Sequence, residues 1–265
     1  MGIVQTEIKN LHNLSGDPLE YRVKSKEVTR ALINVNDIYT VMTKKTTFNE
    51  IQTGTGKMFC GMNNNGDPCI WLFSQKSYAM AYAEHFKFKI NQYHLVRKVD
   101  RVELATLVYN AMFKGVKTVR IDEGQTYLNV SIYDFVNSLF EADGKEPIIK
   151  EAEKPCFNTF NNLKFKGTIA YVYQNEEASV EDVQNLDFMP KVEEGIVKLF
   201  LNKEEAIAYA GVTQTQLLSL NYIGVNRLVS KWVSAESIQT LQFVSKDQVA
   251  NMNIKKAAMI LNKMA

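Results

Sequence analysis

The sequence predicts an α+β protein made of two tandem copies of one unit, each a mixed or antiparallel sheet covered by helices. Three observations lead there. Blocks of residues recur in the same order, short alternating strands are joined by tight turns, and apolar-striped helices follow recognisable caps. The recurrence is the most direct. Phe73 to Ala83 reads FSQKSYAMAYA and Phe200 to Ala210 reads FLNKEEAIAYA, so Phe, Lys, Ala, Ala, Tyr and Ala coincide at an offset of 127 residues. Upstream, Tyr39 in DIYTVMTKKTT matches Tyr171 in IAYVYQNEEAS at an offset of 132. Downstream, LNVSIYDFVNSL (Leu128 to Leu139) matches ANMNIKKAAMIL (Ala250 to Leu261) at an offset of 122. The falling offset implies two short deletions in the second copy. The copies are placed at residues 30–142 and 160–265. Residues 143–159, with Gly144, Pro147 and Pro155, are expected as a linker. Residues 1–29 are expected as an N-terminal arm containing a Gly16-Asp17-Pro18 turn.

The elements follow in order. Ile38 to Thr43 is rich in β-branched and aromatic residues and reads as a strand. Lys57 to Met62 and Cys69 to Phe73 read as a hairpin, because NNNGDP between them tolerates positive φ and interrupts pairing. In the second copy, Phe188 to Val192 and Ile196 to Leu201 flank EEG as a shorter hairpin. A helix comes next in both, opened by Ser74 or Gln75 in the first and by a capping-box pattern, Asn202 with Glu205, in the second. Ala79, Ala81 and Ala83 allow close approach to a sheet. Asp100 with Glu103 caps RVELATLVYNAMFKG, whose apolar residues recur at helical spacing and which Gly115 ends. Lys117 to Asp122 and Thr126 to Val130 form a second hairpin around Glu123-Gly124, and Ser131 caps a last helix, Ile132 to Phe140.

Composition excludes several classes. The chain has 265 residues, 46% hydrophobic and 23% charged, with 31 basic and 29 acidic side chains, which excludes a disordered chain. Three cysteines, Cys60, Cys69 and Cys156, are too few for a disulfide scaffold and suit a reducing compartment. The N-terminus lacks a basic segment followed by an apolar one, and no run reaches the 18 or so apolar residues of a spanning helix. A cytoplasmic protein that does not enter a membrane is expected. The N-x-S triplets at Asn13 and Asn129 are then chance matches, and Gly2 with Thr6 fits the short myristoylation pattern only in a cell that has the transferase.

A strand pair ending in an aliphatic run, then FxxxxxAxxYA, a middle helix, and a strand leading into Leu-Asn before the last helix is similar to the SseB-type (enhanced serine sensitivity) family of bacterial cytoplasmic proteins. The residues that carry the resemblance are Trp71 to Phe73, Ala79, Tyr82, Ala83, Leu128 and Asn129 in the first copy. In the second they are Leu199, Phe200, Ala206, Tyr209, Ala210 and Asn251. The family pattern has proline after the asparagine, where this chain has Val130 and Met252. The resemblance implies a fold and a bacterial context, and no catalytic residues.

Several constellations could in principle carry chemistry. Cys60 or Cys69 with His85 or His94 could form a nucleophilic dyad or a four-ligand zinc site, but the spacing matches neither, and buried apolar cysteines with surface histidines account for the pattern. NNNGD resembles the start of a calcium loop without its later glutamate. GTGK at Gly54 to Lys57 lacks the first glycine and the hydroxyl residue of a phosphate cradle. No cofactor and no metal are expected.

Charge is uneven. Residues 1–150 hold 19 basic and 16 acidic side chains, against 12 and 13 in 151–265. Between Lys87 and Arg120 eight basic residues face only Asp100 and Glu103. Lys87, Lys89, Tyr93, His94, Arg97, Lys98, Arg101, Lys117 and Arg120 are therefore the candidate binding residues. If gathered on one face they would suit nucleic acid or another anion; the alternative is a solvated surface. The leading functional expectation is a non-enzymatic module that binds another protein through the groove between copies or an exposed sheet face. A nucleic-acid or anion-binding regulator is the alternative, and a Cys/His-dependent enzyme the second.

Overall fold

The computed structural model describes residues 2–13, 18–35, 37–173, 188–210, 217–246 and 248–265. The chain is α+β and separates into two compact units, Met1–Ile148 and Ile149–Ala265. The first unit contains α1 (Ile3–His12), α2 (Pro18–Ile33), β1 (Ile38–Val41), α3 (Phe48–Thr53), β2 (Cys60–Met62), β3 (Pro68–Phe73), α4 (Lys76–His85), β4 (Lys89–Ile90), β5 (Tyr93–His94), β6 (Val96–Val99), α5 (Arg101–Phe113), β7 (Thr118–Ile121), β8 (Leu128–Ser131) and α6 (Ile132–Ala142). The second contains α7 (Lys154–Phe165), β9 (Ala170–Tyr173), β10 (Val192–Glu193), β11 (Ile196–Phe200), α8 (Lys203–Ala210), β12 (Leu217–Leu220), α9 (Tyr222–Trp232), β13 (Thr240–Ser245), β14 (Gln248–Asn253) and α10 (Ile254–Met264).

Among the described residues each unit has one six-stranded sheet of the same topology. The first runs β6-β1-β3-β7-β8 with β2 also on β3, and the second runs β12-β9-β11-β13-β14 with β10 also on β11. In each, the described pairs are antiparallel except β3 with β7 and β11 with β13, which are parallel. The repeat holds at the level of single residues. Tyr39 faces Phe73 in the first sheet as Tyr171 faces Phe200 in the second, and Arg120 faces Asn129 as Gln242 faces Asn251. These are the pairings that the offsets 132, 127 and 122 require.

Alternation along the strands builds two cores per sheet. Ile70, Leu72, Val119, Ile121, Leu128 and Val130 pair directly across β3, β7 and β8 and so share one face, which is buried. The α6 helix packs over β7 and β8 and against α2 and α5. Its Ile132, Phe135, Val136 and Leu139 are at most 2% exposed; burial of each such side chain contributes about 1.5–3 kcal/mol. On the opposite face Cys69, Trp71 and Phe73 pack with Ala79, Tyr82 and Ala83 of α4 and with Phe88 and Leu95. The second unit repeats this on a smaller scale, with Tyr173, Phe200 and Ala206 of α8.

Of the four expected caps, Asp100 acts in full, Asn202 in part, and Ser131 and Gln75 make no side-chain cap bond, while Asn221 caps α9 without having been singled out in the sequence. Asp100 accepts from the Glu103 N–H at 2.8 Å, and Asn221 does the same for Gly224 in α9 at 3.0 Å. Asn202 accepts from Glu204 and Glu205, while Glu205 Oε2 is buried without a hydrogen-bond partner among the described residues, so the box is half formed. Ser131 heads α6 without a side-chain bond, whereas its counterpart Asn253 bonds two N–H groups of α10. Gln75 heads α4 without a cap.

The expected arm at 1–29 carries α1 and most of α2, and the expected linker at 143–159 carries a short 3-10 turn, Glu151–Glu153, and the first half of α7. Val4, Ile8 and Leu11 lie at helical spacing and are buried, which docks α1. Gln5 Nε2 donates to Asp122 Oδ2 at 2.9 Å and to Thr126 O at 3.0 Å, and His12 Nε2 meets Tyr127 O at 2.8 Å. The α2 helix crosses residue 30, so a boundary there falls within a helix. Its counterpart α7 begins with Lys154-Pro155 and buries Cys156, Phe157 and Phe160. A proline in the first turn lacks only an N–H that has no helical partner, so Pro155 starts a helix where it had suggested a linker. Gly16, Asp17 and the NEEAS part of the Tyr171 block lie outside the described residues. Among the described residues no helix is long and apolar enough to cross a membrane.

Candidate functional site

The α4 helix packs on β1, β3 and β6, and α8 packs on β9 and β11. The remaining half of the same sheet face, on β7–β8 and on β13–β14, carries polar side chains. Trp71, Arg120 and Asn129 lie directly opposite one another across β3, β7 and β8 and so project to this face. Arg120 is 3% exposed. Its Nε donates to Asn129 Oδ1 at 2.8 Å, its Nη1 to Glu123 Oε1 at 2.6 Å, and its guanidinium lies 4.7 Å from the centre of the Tyr127 ring. The Trp71 indole N–H donates to the other oxygen of Glu123. A buried guanidinium is tolerable when its charge and donors are met in this way. Beside it Phe59 stacks on Trp71 at 5.2 Å. The stack needs Gly61, where an added Cβ would fall 2.8 Å from Phe59 and 3.1 Å from Trp71.

The equivalent positions of the second unit hold different chemistry. Offset 127 puts Lys198 at the place of Trp71 and Tyr209 at that of Tyr82, and offset 122 puts Gln242 at that of Arg120. Gln242 Nε2 donates to Asn251 Oδ1 at 2.8 Å, repeating the Arg120–Asn129 bond. Lys198 Nζ donates to Glu193 Oε2 at 2.8 Å and to Tyr209 Oη, and Tyr209 donates to Glu193. The bonds from Lys198 and Tyr209 hold the Glu193 carboxyl down at about 2. This triad borders a shallow hollow of about 10 Å³ against Phe200 and Tyr173. An aromatic stack in one unit thus stands where an ionic triad stands in the other. The sequence signal for the triad was the aligned repeat itself, since Lys198 and Tyr209 are unremarkable until set against Trp71 and Tyr82.

The nine candidate binding residues do not form one basic face. Lys89 and His94 face each other across β4–β5 and both meet Glu84. Tyr93 packs edge-on against Phe48 at 5.0 Å, and Lys87 is an exposed residue at φ 56° just after α4. Arg97 and Lys98 are neighbours on β6 and point to opposite sides. Arg97 is 6% exposed, donating to Gly56 O at 2.6 Å and pairing with Glu103, while Lys98 is exposed and pairs with Asp37. Arg101 meets Asp143 at 2.6 Å, Lys117 meets Asp67 at 3.0 Å, and Arg120 meets Glu123. Carboxylates from outside the segment therefore answer most of the charge that is concentrated within it.

The Cys/His constellation also separates. Cys60 lies opposite Ile70, and Cys69 lies opposite Gly61, so the two thiols point to different faces. Burial pushes the Cys69 and Cys156 thiols up to about 12, and that of Cys60 upward. His85 packs edge-on against Phe86 at 4.7 Å. Asn63 Oδ1 accepts from the N–H groups of Asn65 and Asp67, both at 2.9 Å, so NNNGD is a side-chain-closed turn. Among the described residues no group of three or more His, Cys, Asp or Glu could hold a metal ion.

No family model matches the chain, and no curated protein matches it. Among solved structures it is similar to Anabaena Tic22 (protein transport), at 12% identity and a TM-score of 0.23, over 84% of this chain and 93% of that one. A likeness at this level says nothing of function.

Proposed function

We propose that the chain is a non-enzymatic, SseB-like tandem module of the bacterial cytoplasm that binds another protein through the uncovered half-face of its sheets. One observation carries the reading: both units leave the same half-face clear of α4 or α8 and keep an exposed asparagine there, Asn129 or Asn251, at the same register. The chemistry beside that asparagine differs, ionic and aromatic in one unit and amide in the other, which suits asymmetric recognition. Val249, 58% exposed on β14, adds an apolar contact point to the second face.

The two competing readings have less support. Nucleic-acid binding through Lys87 to Arg120 would have to break existing ion pairs, and Cys/His catalysis would need thiols that burial disfavours as thiolates. The test is affinity capture from a bacterial extract by the full chain and by its N129K/N251K variant. A protein held by the first and released by the second, and rebinding as a purified species in the same order, supports the proposal. Equal capture by both overturns it.

A further inference from the structure

We infer a separate anion site in the first unit, shaped for a small molecule that bears two or more phosphates. Lys44, Lys45 and Lys57 line one open hollow of about 510 Å³, with Thr43, Phe59 and Cys60. That volume lies in the range of small-ligand sites.

Backbone bonds hold the lysines in place. The Thr43 N–H donates to Lys57 O at 2.9 Å and the Phe59 N–H to Val41 O at 2.8 Å, which sets the two stretches side by side. The Thr46 N–H closes the turn carrying Lys44 and Lys45 onto Thr43 O at 3.0 Å. Behind them Gly56 packs so closely on Met42 and Thr46 that a Cβ would overlap both, and the buried Arg97 binds its carbonyl. Lys44 Nζ also lies 5.0 Å over the Phe88 ring.

Charge is what distinguishes the hollow. Most cations of the Lys87 to Arg120 segment meet a carboxylate, but among the described residues Lys44, Lys45 and Lys57 make no ion pair. Glu50 borders the hollow, yet its carboxylate already accepts from the Thr47 N–H at 2.7 Å and hydroxyl at 2.8 Å; those bonds, and lastly Lys57, lower its pKa. Three lysines bordering one space bring like charges near each other, and a multivalent anion offsets that repulsion. Lysine suits phosphate as a mobile point charge. Phe59 supplies an apolar wall beside the charges. The GTGK stretch thus contributes its lysine to an anion site without forming a phosphate-cradling loop.

Titration calorimetry of the full chain at low salt with pyrophosphate, ADP and a hexaglutamate peptide tests this. Saturable pyrophosphate binding is expected, weakened about five- to tenfold by K44Q or K57Q and unchanged by K98Q, with circular dichroism confirming that each variant is folded. Pyrophosphate is also expected to slow alkylation of Cys60. ADP binding more tightly than pyrophosphate places an organic ring against Phe59, a gain that F59L removes; equal affinity assigns the site to the phosphates alone. Absence of saturable binding, equal weakening by K98Q, or tighter binding of hexaglutamate overturns the inference. The outcome is independent of the half-face on β7–β8 and β13–β14, so either proposal can fail alone.

Discussion

Asp122 is the residue whose removal is expected to cost the first unit most for the fewest atoms. It is fully buried, stands at φ 58°, and accepts three bonds: from the Ser74 N–H and hydroxyl, both at 2.7 Å, and from Gln5 Nε2 at 2.9 Å. It therefore ties α1 and the start of α4 to the end of β7. A bond to a charged group contributes about 1.5–3 kcal/mol. In Asp122→Ala the Ser74 hydroxyl can turn elsewhere and Gln5 keeps Thr126 O, so the loss is smaller than three full bonds. An alanine at positive φ adds about 1 kcal/mol, and the sum is about 4 kcal/mol. The sequence's two tryptophans provide the assay, because Trp71 is in the first unit and Trp232 in the second. In a Trp232→Phe background, urea unfolding followed by fluorescence reports the first unit alone. With a slope of about 2 kcal/mol per molar urea, Asp122→Ala should lower the midpoint by about 2 M. A double-mutant cycle with Gln5→Ala should give a coupling of about 1–2 kcal/mol. A midpoint shift under about 0.5 M, or strict additivity of the two changes, would refute the assignment of Asp122 as the tie between α1 and α4.

Other outcomes follow from single contacts. Gly61→Val should cost about 1–3 kcal/mol by forcing Phe59 and Trp71 apart, and the Trp71 emission should shift; an unchanged spectrum and stability would contradict the packing. At pH 8 a thiol with a pKa of about 12 is only about one part in ten thousand thiolate, so iodoacetamide should label Cys60 in the native chain and leave Cys69 and Cys156 intact, as mass spectrometry can check. Glu193 has its folded pKa held at about 2, below the ordinary carboxylate value of 4.5. Its stabilisation is therefore complete above about pH 5 and lost as the pH falls toward 2. The difference in thermal midpoint between the native chain and Glu193→Gln, followed by Trp232 fluorescence, should be largest at neutral pH and vanish near pH 2. A constant difference would exclude the ionic triad.

The sheet architecture was legible in the sequence because duplication writes the same pattern twice. Tyr39, Phe73 and Asn129 are weak signals singly, but each has a partner at a consistent offset, and those offsets coincide with the observed strand registers. What the sequence hid was the helical start of each unit. The α2 and α7 helices share no residue pattern, and Pro155 resembled linker punctuation. The binding residues were the least legible. Summing charge along Lys87 to Arg120 ignores partners far away in sequence, and Asp37, Asp67 and Asp143 reach that segment only through folding. The lysines of the Thr43 to Lys57 region, which make no ion pair among the described residues, sit in a stretch of ordinary charge density and emerge only when partners are assigned atom by atom.

The parallel pairing of β3 with β7 has a consequence for how the chain is made. β3 cannot acquire that neighbour until residues 74–117 have left the ribosome, which takes a few seconds at roughly 5–20 residues per second. Throughout that interval the apolar strand Pro68–Phe73 has one unpaired edge, and β11 faces the same wait while residues 201–239 emerge. Nascent chains of this protein are thus exposed to edge-to-edge association twice in each round of synthesis, and the early docking of α4 or α8 shields only one face of the waiting strand, leaving its edge open.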